Sequence, residues 1–272
     1  MRLSRPAALA FGCALSSLVL SGTAFAAAGD SDEQRAARWS EIKGQLFPGK
    51  TIEKSDAAVK IEAPKRADDA SLVPISLDMA DKDQVKELSF IIDDNPTPYA
   101  AHFTFGPAAD PSQVKLRVRV NNYTDVHAVI ATKDGKLVDS GQFIKASGGC
   151  SAPVGMSDEE AMKGMGDMRM KFAEAGAGKP VEATLMIRHP NFSGMQMNQV
   201  SREYTPARYI QKVDVTAGEQ LVFHLDGDIS ISSNPVINFG IKPGVSGPFK
   251  VVASDNQGGH WEQSFPGRAA SN

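Results

Sequence analysis

The feature that most constrains this chain is a long series of short, β-branched and aromatic runs separated by turn residues. Val73–Leu77, Val85–Ile92, Ala101–Phe105, Val114–Val120, His127–Ala131 and Gln142–Lys145 form a first group, divided by stops such as Asp93-Asp94-Asn95-Pro96 and Asp134-Gly135. Ala183–Ile187, Ile210–Val215, Gln220–Leu225, Pro235–Gly240 and Gly247–Ser254 form a second. Strands this short and this regularly spaced bury one face each, which predicts a sandwich rather than a parallel sheet with helical crossovers. Each group carries about enough strands for its own core, so two sandwich domains are expected. In Leu116-Arg117-Val118-Arg119-Val120 the period of two places both arginines toward water.

The amino end reads differently. Arg2 and Arg5, an apolar run from Ala7 to Leu20, and Ala24-Phe25-Ala26 have the order of a secretory signal, with removal expected before Ala27 and export to the periplasm implied. The run is too short to cross a membrane, and no later segment approaches the roughly 18 apolar residues a spanning helix needs. Cys13 as a lipid-bearing residue fits poorly, because Leu15, Leu18, Val19 and Leu20 still follow it. Without residues 1–26 the 29 basic residues become 27 against 32 acidic ones, so the formal charge moves from -3 to -5. That mild acidity gives no basis for nucleic acid or a membrane surface as partner.

Residues 27–38, small and charged, are expected to be disordered. Trp39, Ile42, Leu46 and Phe47 then follow helical spacing up to Pro48-Gly49. Ser157-Asp158-Glu159-Glu160 opens a second helix, expected to reach about Phe172. Glu174–Pro180 reads as a flexible tether.

Removal of the signal also removes Cys13 and leaves one cysteine, Cys150, so no internal disulfide can form. A lone cysteine in an exported protein is either an intermolecular bridge or a free thiol with a use. Its setting is Ala146-Ser147-Gly148-Gly149-Cys150-Ser151-Ala152-Pro153. Gly148 and Gly149 predict a mobile arm, and no bulky apolar neighbour in sequence predicts burial, so the thiol is expected to be reachable.

Gly148-Gly149-Cys150 behind a β-rich region resembles the end of SoxY, the sulfur-carrier subunit of periplasmic sulfur oxidation. Val73-Pro74-Ile75, Asn95-Pro96-Thr97-Pro98, Leu116-Arg117-Val118-Arg119 and Asp134-Gly135-Lys136-Leu137 agree with it. Arg188-His189-Pro190, Ser233-Asn234-Pro235 and Asp255-Asn256-Gln257-Gly258 resemble its partner SoxZ. In this order the chain resembles the SoxYZ-like fused carriers associated with quinoprotein dehydrogenases. The resemblance implies an all-β fold of two immunoglobulin-like sandwiches joined by the Gly-Gly-Cys arm and a short helical linker. It divides the chain into a SoxY-like domain over 39–150, a linker with a Met-rich helix over 151–180 and a SoxZ-like domain over 181–267. It further implies a carrier without cofactor or catalysis, a sulfur intermediate bound covalently to Cys150, and His189 near the domain interface. Partners would be redox enzymes of sulfur oxidation or a quinoprotein dehydrogenase system. The cysteine here is followed by Ser151-Ala152-Pro153 instead of glycine, which ties the arm at both ends.

A second reading makes the chain a Cu(I)-handling or folding accessory of a quinoprotein dehydrogenase. Met162, Met165 and Met168 on one helix would then supply soft ligands, with Met170, Met195 and Met197 in reserve. Methionine at that spacing equally fills a core. A third reading is an interaction module bridged through its cysteine. Enzyme signatures are thin: no metal-spaced histidine pair, phosphate loop or nucleophile elbow occurs, and a Cys150–His189 dyad has no support from spacing.

Overall fold

The computed structural model describes residues 30–176, 178–198 and 201–267. The signal segment and residues 27–29 lie outside the described residues. Ser31 caps helix α1 (Asp32–Leu46) by accepting from the Gln34 backbone N–H, while the Gln34 side chain accepts from the Ser31 N–H. This reciprocal cap satisfies two donors the first turn would leave bare. Residues 32–38, expected to be disordered, are therefore helical, and the helix is held from outside as well. Arg35 pairs with Asp125 at 2.8 Å, Arg38 with Asp94 at 2.8 Å, and Trp39 and Ile42 are buried.

Fifteen strands follow among the described residues. The first half contributes β1 (Ile52–Lys54), β2 (Val59–Glu62), β3 (Val73–Met79), β4 (Val85–Ile92), β5 (Tyr99–Phe105), β6 (Ala109–Val118), β7 (Thr124–Thr132) and β8 (Leu137–Ile144). After a short helix α2 (Asp158–Met162), the second half adds β9 (Met168–Phe172), β10 (Val181–Ile187), β11 (Ile210–Ala217), β12 (Gln220–Gly227), β13 (Val236–Ile241), β14 (Phe249–Asp255) and β15 (His260–Phe265). The burial of β3, β10 and β14 alternates strictly, as one face turned to a core requires.

The two halves do not keep separate sheets. One sheet runs β1-β8-β7-β4-β5-β12-β11-β14-β15 and the other β2-β3-β6-β13-β10-β9. The seam lies at β5·β12, where Phe105 faces Phe223 and Phe103 faces Leu225, and at β6·β13, where Val114 faces Phe239. Both pairings are antiparallel. Edge strands with free hydrogen-bonding groups are thereby consumed by each other. Side chains close the seam from inside: Phe223 packs edge-on to Phe103 at 5.6 Å and to Phe239 at 4.9 Å. A single buried cluster extends from Val59 to Ala253 across both halves, so the expected pair of independent cores is one continuous core.

The region between the halves also departs from expectation. The second helix does not reach Phe172. It stops at Met162, because Gly164 and Gly166 take left-handed backbone angles, φ +65° and +90°, that no helix continues through. Met168–Phe172 instead form a strand paired with β10. The Glu174–Pro180 stretch thus joins two neighbouring strands of one sheet and tethers no domain.

Candidate functional site

Strand β6 ends at Val118, and the residues just after it form the first wall of the site. Arg119 N–H donates to the Ser230 carbonyl at 2.7 Å, Val120 N–H donates to the Ala70 carbonyl at 2.8 Å, and the pleat that would have turned Arg119 outward is over. Arg117 is exposed as its alternation requires. Arg119 is not: it is 2% exposed and among the largest fully buried side chains, which corrects the expectation that both arginines meet water.

The Gly-Gly-Cys segment lies against this same stretch. Gly148 N–H donates to the Asn121 carbonyl at 2.8 Å and Gly149 N–H to the Val120 carbonyl at 3.0 Å. A Cβ on Gly149 would overlap the carbonyl oxygens of Ala70 and Val120. Here glycine serves close approach of two backbones rather than freedom, so the arm is seated, not swinging. Gly148, at φ +77°, makes the turn that delivers it.

Cys150 is consequently buried, 0% exposed, against the expectation of a reachable thiol. Desolvation pushes its pKa up to about 11, and the positive charge of Arg119 only partly counters this. At neutral pH the sulfur is a protonated thiol in this arrangement, not a nucleophile.

The far wall comes from the second half. Ser193 Oγ donates to the Cys150 carbonyl at 2.5 Å, and the amide oxygen of Gln196 accepts from Ser193 N–H at 2.8 Å. Asn191, held at φ 43°, turns its carbonyl to accept from the Arg119 guanidinium at 2.9 Å. Asn is one of the few side-chain-bearing residues that tolerate that conformation. Its own side chain donates to the Ile231 carbonyl and accepts from Ile210 N–H.

His189 stands one step behind. Its Nδ1 lies 2.6 Å from Asn191 Oδ1, its Nε2 3.4 Å from Asp255 Oδ2, and its ring meets Trp261 edge-on at 5.7 Å. Burial lowers its pKa, outweighing the pull of Asp255 and Asn191 in the other direction. Burial opposes the charge on Asp255 too, but hydrogen bonds from Arg208 and from the Gly259 and Gln257 N–H groups bring its pKa below the usual value. Both ring nitrogens of His189 face these partners, so His189 is no base for Cys150; it reaches the first half through Asn191.

The methionine site is not assembled as expected. Met162 ends α2, Met165 sits in the turn after it, and Met168 opens β9, where it is buried. The common helical face on which they would converge does not exist. No group of three or more His, Cys, Asp or Glu side chains placed to hold a metal occurs among the described residues.

Family models settle the kinship. The model of the sulfur oxidation protein SoxY matches residues 43–150, and that of the sulphur oxidation protein SoxZ matches residues 168–266. The chain belongs to the SoxYZ-like fused carriers. No curated protein matches it. Among solved structures, the sulfur carrier protein SoxY from Chlorobium limicola f thiosulfatophilum is 24% identical, over 41% of this chain and 94% of that one, with a TM-score of 0.36. A glycosyl hydrolase family 2 member from Bacteroides cellulosilyticus is 10% identical over 72% of this chain and 24% of its own, at a TM-score of 0.21. At TM-scores of this size neither constrains fold or function.

The SoxY match ends on Cys150 itself, and the SoxZ match begins at Met168, the first residue of β9. In this SoxYZ-like fusion the two matched regions meet at the buried Cys150, whose arm bonds the first and whose carbonyl accepts from Ser193 of the second. Arg119, Asn191, Ser193 and Gln196 have no place in a reading from sequence alone. Asn191 and Ser193 do stand close to His189, which the sequence marks. Arg119 carries a misleading signal, because its alternation with Arg117 belongs to a strand that has already ended.

Proposed function

We propose that the chain is a periplasmic carrier that holds a sulfur-containing intermediate covalently on Cys150 and presents it to partner enzymes, either of sulfur oxidation or of a quinoprotein dehydrogenase system. One observation carries the reading: the SoxY domain terminates at the sole cysteine among the described residues, and the SoxZ domain supplies the wall over it. SoxY and SoxZ are carriers and not catalysts, and His189, the histidine nearest this wall in sequence, already has both ring nitrogens engaged.

The buried thiol is then the closed half of a cycle. Three hydrogen bonds seat the arm, from Gly148, Gly149 and Ser193. At about 0.5–1.5 kcal/mol net for each, releasing them costs a few kcal/mol. That is small enough for transient opening and large enough to keep the sulfur covered most of the time. Once open, the thiol returns toward an ordinary pKa; its thiolate can displace a leaving group from a sulfur already at the disulfide level, whereas joining it to thiosulfate or sulfide passes two electrons to a redox enzyme of a periplasmic extract. Incubation of the purified protein with thiosulfate or sulfide and a periplasmic extract should yield an adduct by intact mass, abolished by Cys150→Ser. An adduct that persists in Cys150→Ser, or protein from the native compartment that never bears mass on Cys150, would overturn the reading.

A further inference from the structure

Burying a cation requires a compensating anion or a full set of acceptors, since a desolvated, unpaired charge is among the costliest things a protein can hold. Arg119 has neither. Its guanidinium donates to one neutral carbonyl, of Asn191, and its buried Nε–H has no partner. No carboxylate pairs with it among the described residues. Asp69, whose charge it feels, is exposed and accepts from Ser71 instead. The group it does face electrostatically is Cys150, which is uncharged when closed.

A second unmet donor lies in the opposite wall of the seat, on Gln196, which holds the same Ser193 that bonds the Cys150 carbonyl. Ser193 N–H fixes which end of the Gln196 amide is the oxygen. The other end, Nε2, is buried and has no acceptor. Gln196 also lines a cleft of about 660 Å³ bounded by Pro153–Glu159, which adjoins the arm beyond Cys150. Two buried N–H donors without acceptors, one cationic, thus belong to the two walls against which the Cys150 arm is seated.

We propose that Arg119 and the side-chain amide of Gln196 form a receptor for the negatively charged end group, a sulfonate, of a sulfur conjugate carried on Cys150. The inference rests on the carrier reading for its natural cargo. Loading would replace a neutral thiol by an anion, complete the ion pair Arg119 lacks and favour the closed arm. A guanidinium presents its N–H groups in a planar fork suited to oxyanions. The unloaded arm is then the poorly paired state and the loaded one the well-paired state.

Chemical loading tests this without knowledge of the natural cargo. In the urea-unfolded chain the Cys150 thiolate attacks an inner sulfur of tetrathionate. The central S–S bond breaks, thiosulfate leaves with the electron pair, the thiol proton goes to buffer, and Cys150 bears –S–SO3⁻. Methyl methanethiosulfonate gives a smaller, neutral methyl disulfide, with methanesulfinate leaving. After refolding, release by 2-mercaptoethanol is followed by intact mass. The anionic adduct should survive at least tenfold longer in the unaltered chain than in Arg119→Met, whereas the methyl disulfide should differ less than twofold between the two. Equal acceleration of both adducts, or none, overturns the proposal. If Arg119→Met does not fold, Gln196→Leu carries the same comparison. The unaltered chain should also melt higher with the anionic adduct than with the neutral one, and an equal or lower midpoint, or failure of only the anionic form to refold, overturns the proposal too. A native protein that never bears an adduct defeats the carrier reading and leaves this comparison standing.

Discussion

Two buried cations in this molecule are treated in opposite ways. His127, on β7, sits between two carboxylates, Asp139 at 2.9 Å and Asp93 at 3.5 Å, and its ring stacks on Trp39 with centroids 3.7 Å apart and planes 7° from parallel. Trp39 Nε1–H donates to the same Asp139 at 3.0 Å, which fastens α1 to the sheet. Arg119, just past the end of β6, donates to one neutral carbonyl and has no carboxylate beside it among the described residues. A cation compensated this fully is part of the scaffold. One left this short of partners, in the wall of the seat that holds Cys150, keeps room for a charge that arrives from outside.

The comparison breaks most readily at the carboxylate. Asp139→Asn removes one charge from a buried ion pair and leaves its partner, a change that typically costs about 3–5 kcal/mol. Arg119→Met removes a charge that has no ionic partner, and apolar replacement of a poorly compensated buried charge is often neutral or stabilising. Chemical denaturation of the unloaded chain should therefore show a loss of about 3 kcal/mol for Asp139→Asn and under about 1 kcal/mol of loss, or a gain, for Arg119→Met. Losses of equal size would place Arg119 in the scaffold beside His127.

The thiol sharpens the contrast. With its pKa raised from 9.0 to about 11, Cys150 in the seated arm holds about 100-fold less thiolate at pH 8 than in the unfolded chain. Alkylation at pH 8 should be slower in the native protein by at least that factor. Gly149→Ala, whose methyl collides with the carbonyls of Ala70 and Val120, should unseat the arm and recover most of the rate. A native rate equal to the unfolded one would mean the arm does not stay seated in solution.

The same residues show where sequence reading succeeds and where it fails. Period-two patterning locates eleven strands, because each buries one face against a common core and local chemistry suffices for that. β9 reads as helix, since its methionines fit a helical face and only the left-handed turns at Gly164 and Gly166 exclude it. β1, β2 and β15 leave no such pattern; β15 is largely exposed, so the core leaves little imprint on its sequence. The site residue Cys150 is legible from its solitude and its glycines. Its burial is not, because a glycine before a cysteine permits an open arm and a tight backbone contact equally, and the contact partner, Ala70, lies 79 positions earlier. The merging of two cores into one depends on edge pairing between β5 and β12, which no local pattern encodes.

The smallest effect separates the two halves by pH. Burial opposes the charge on His127, but Asp139 and Asp93 outweigh it and raise its pKa to about 9. A folded pKa above the unfolded value of 6.5 means the native state binds more protons between those limits, so this contribution is whole below about pH 6.5 and fades as pH rises through 9. Asp93, pushed up by its own burial, offsets part of it, and about 2 kcal/mol remains as an order of magnitude. His189 acts the other way: burial lowers its pKa, so the unfolded state binds more protons below pH 6.5 and stability falls as pH drops. The melting midpoint should peak near pH 6.5 and decline on both sides, with the alkaline slope between pH 7 and 9 clearly reduced in Asp139→Asn and unaltered in Cys150→Ser. Above pH 9 the ionising thiol adds its own loss, and there Cys150→Ser alone should flatten the curve. An alkaline slope that persists in Asp139→Asn would show that the cation on β7 is not held by its carboxylates, and the distinction between the two buried cations would lose its basis.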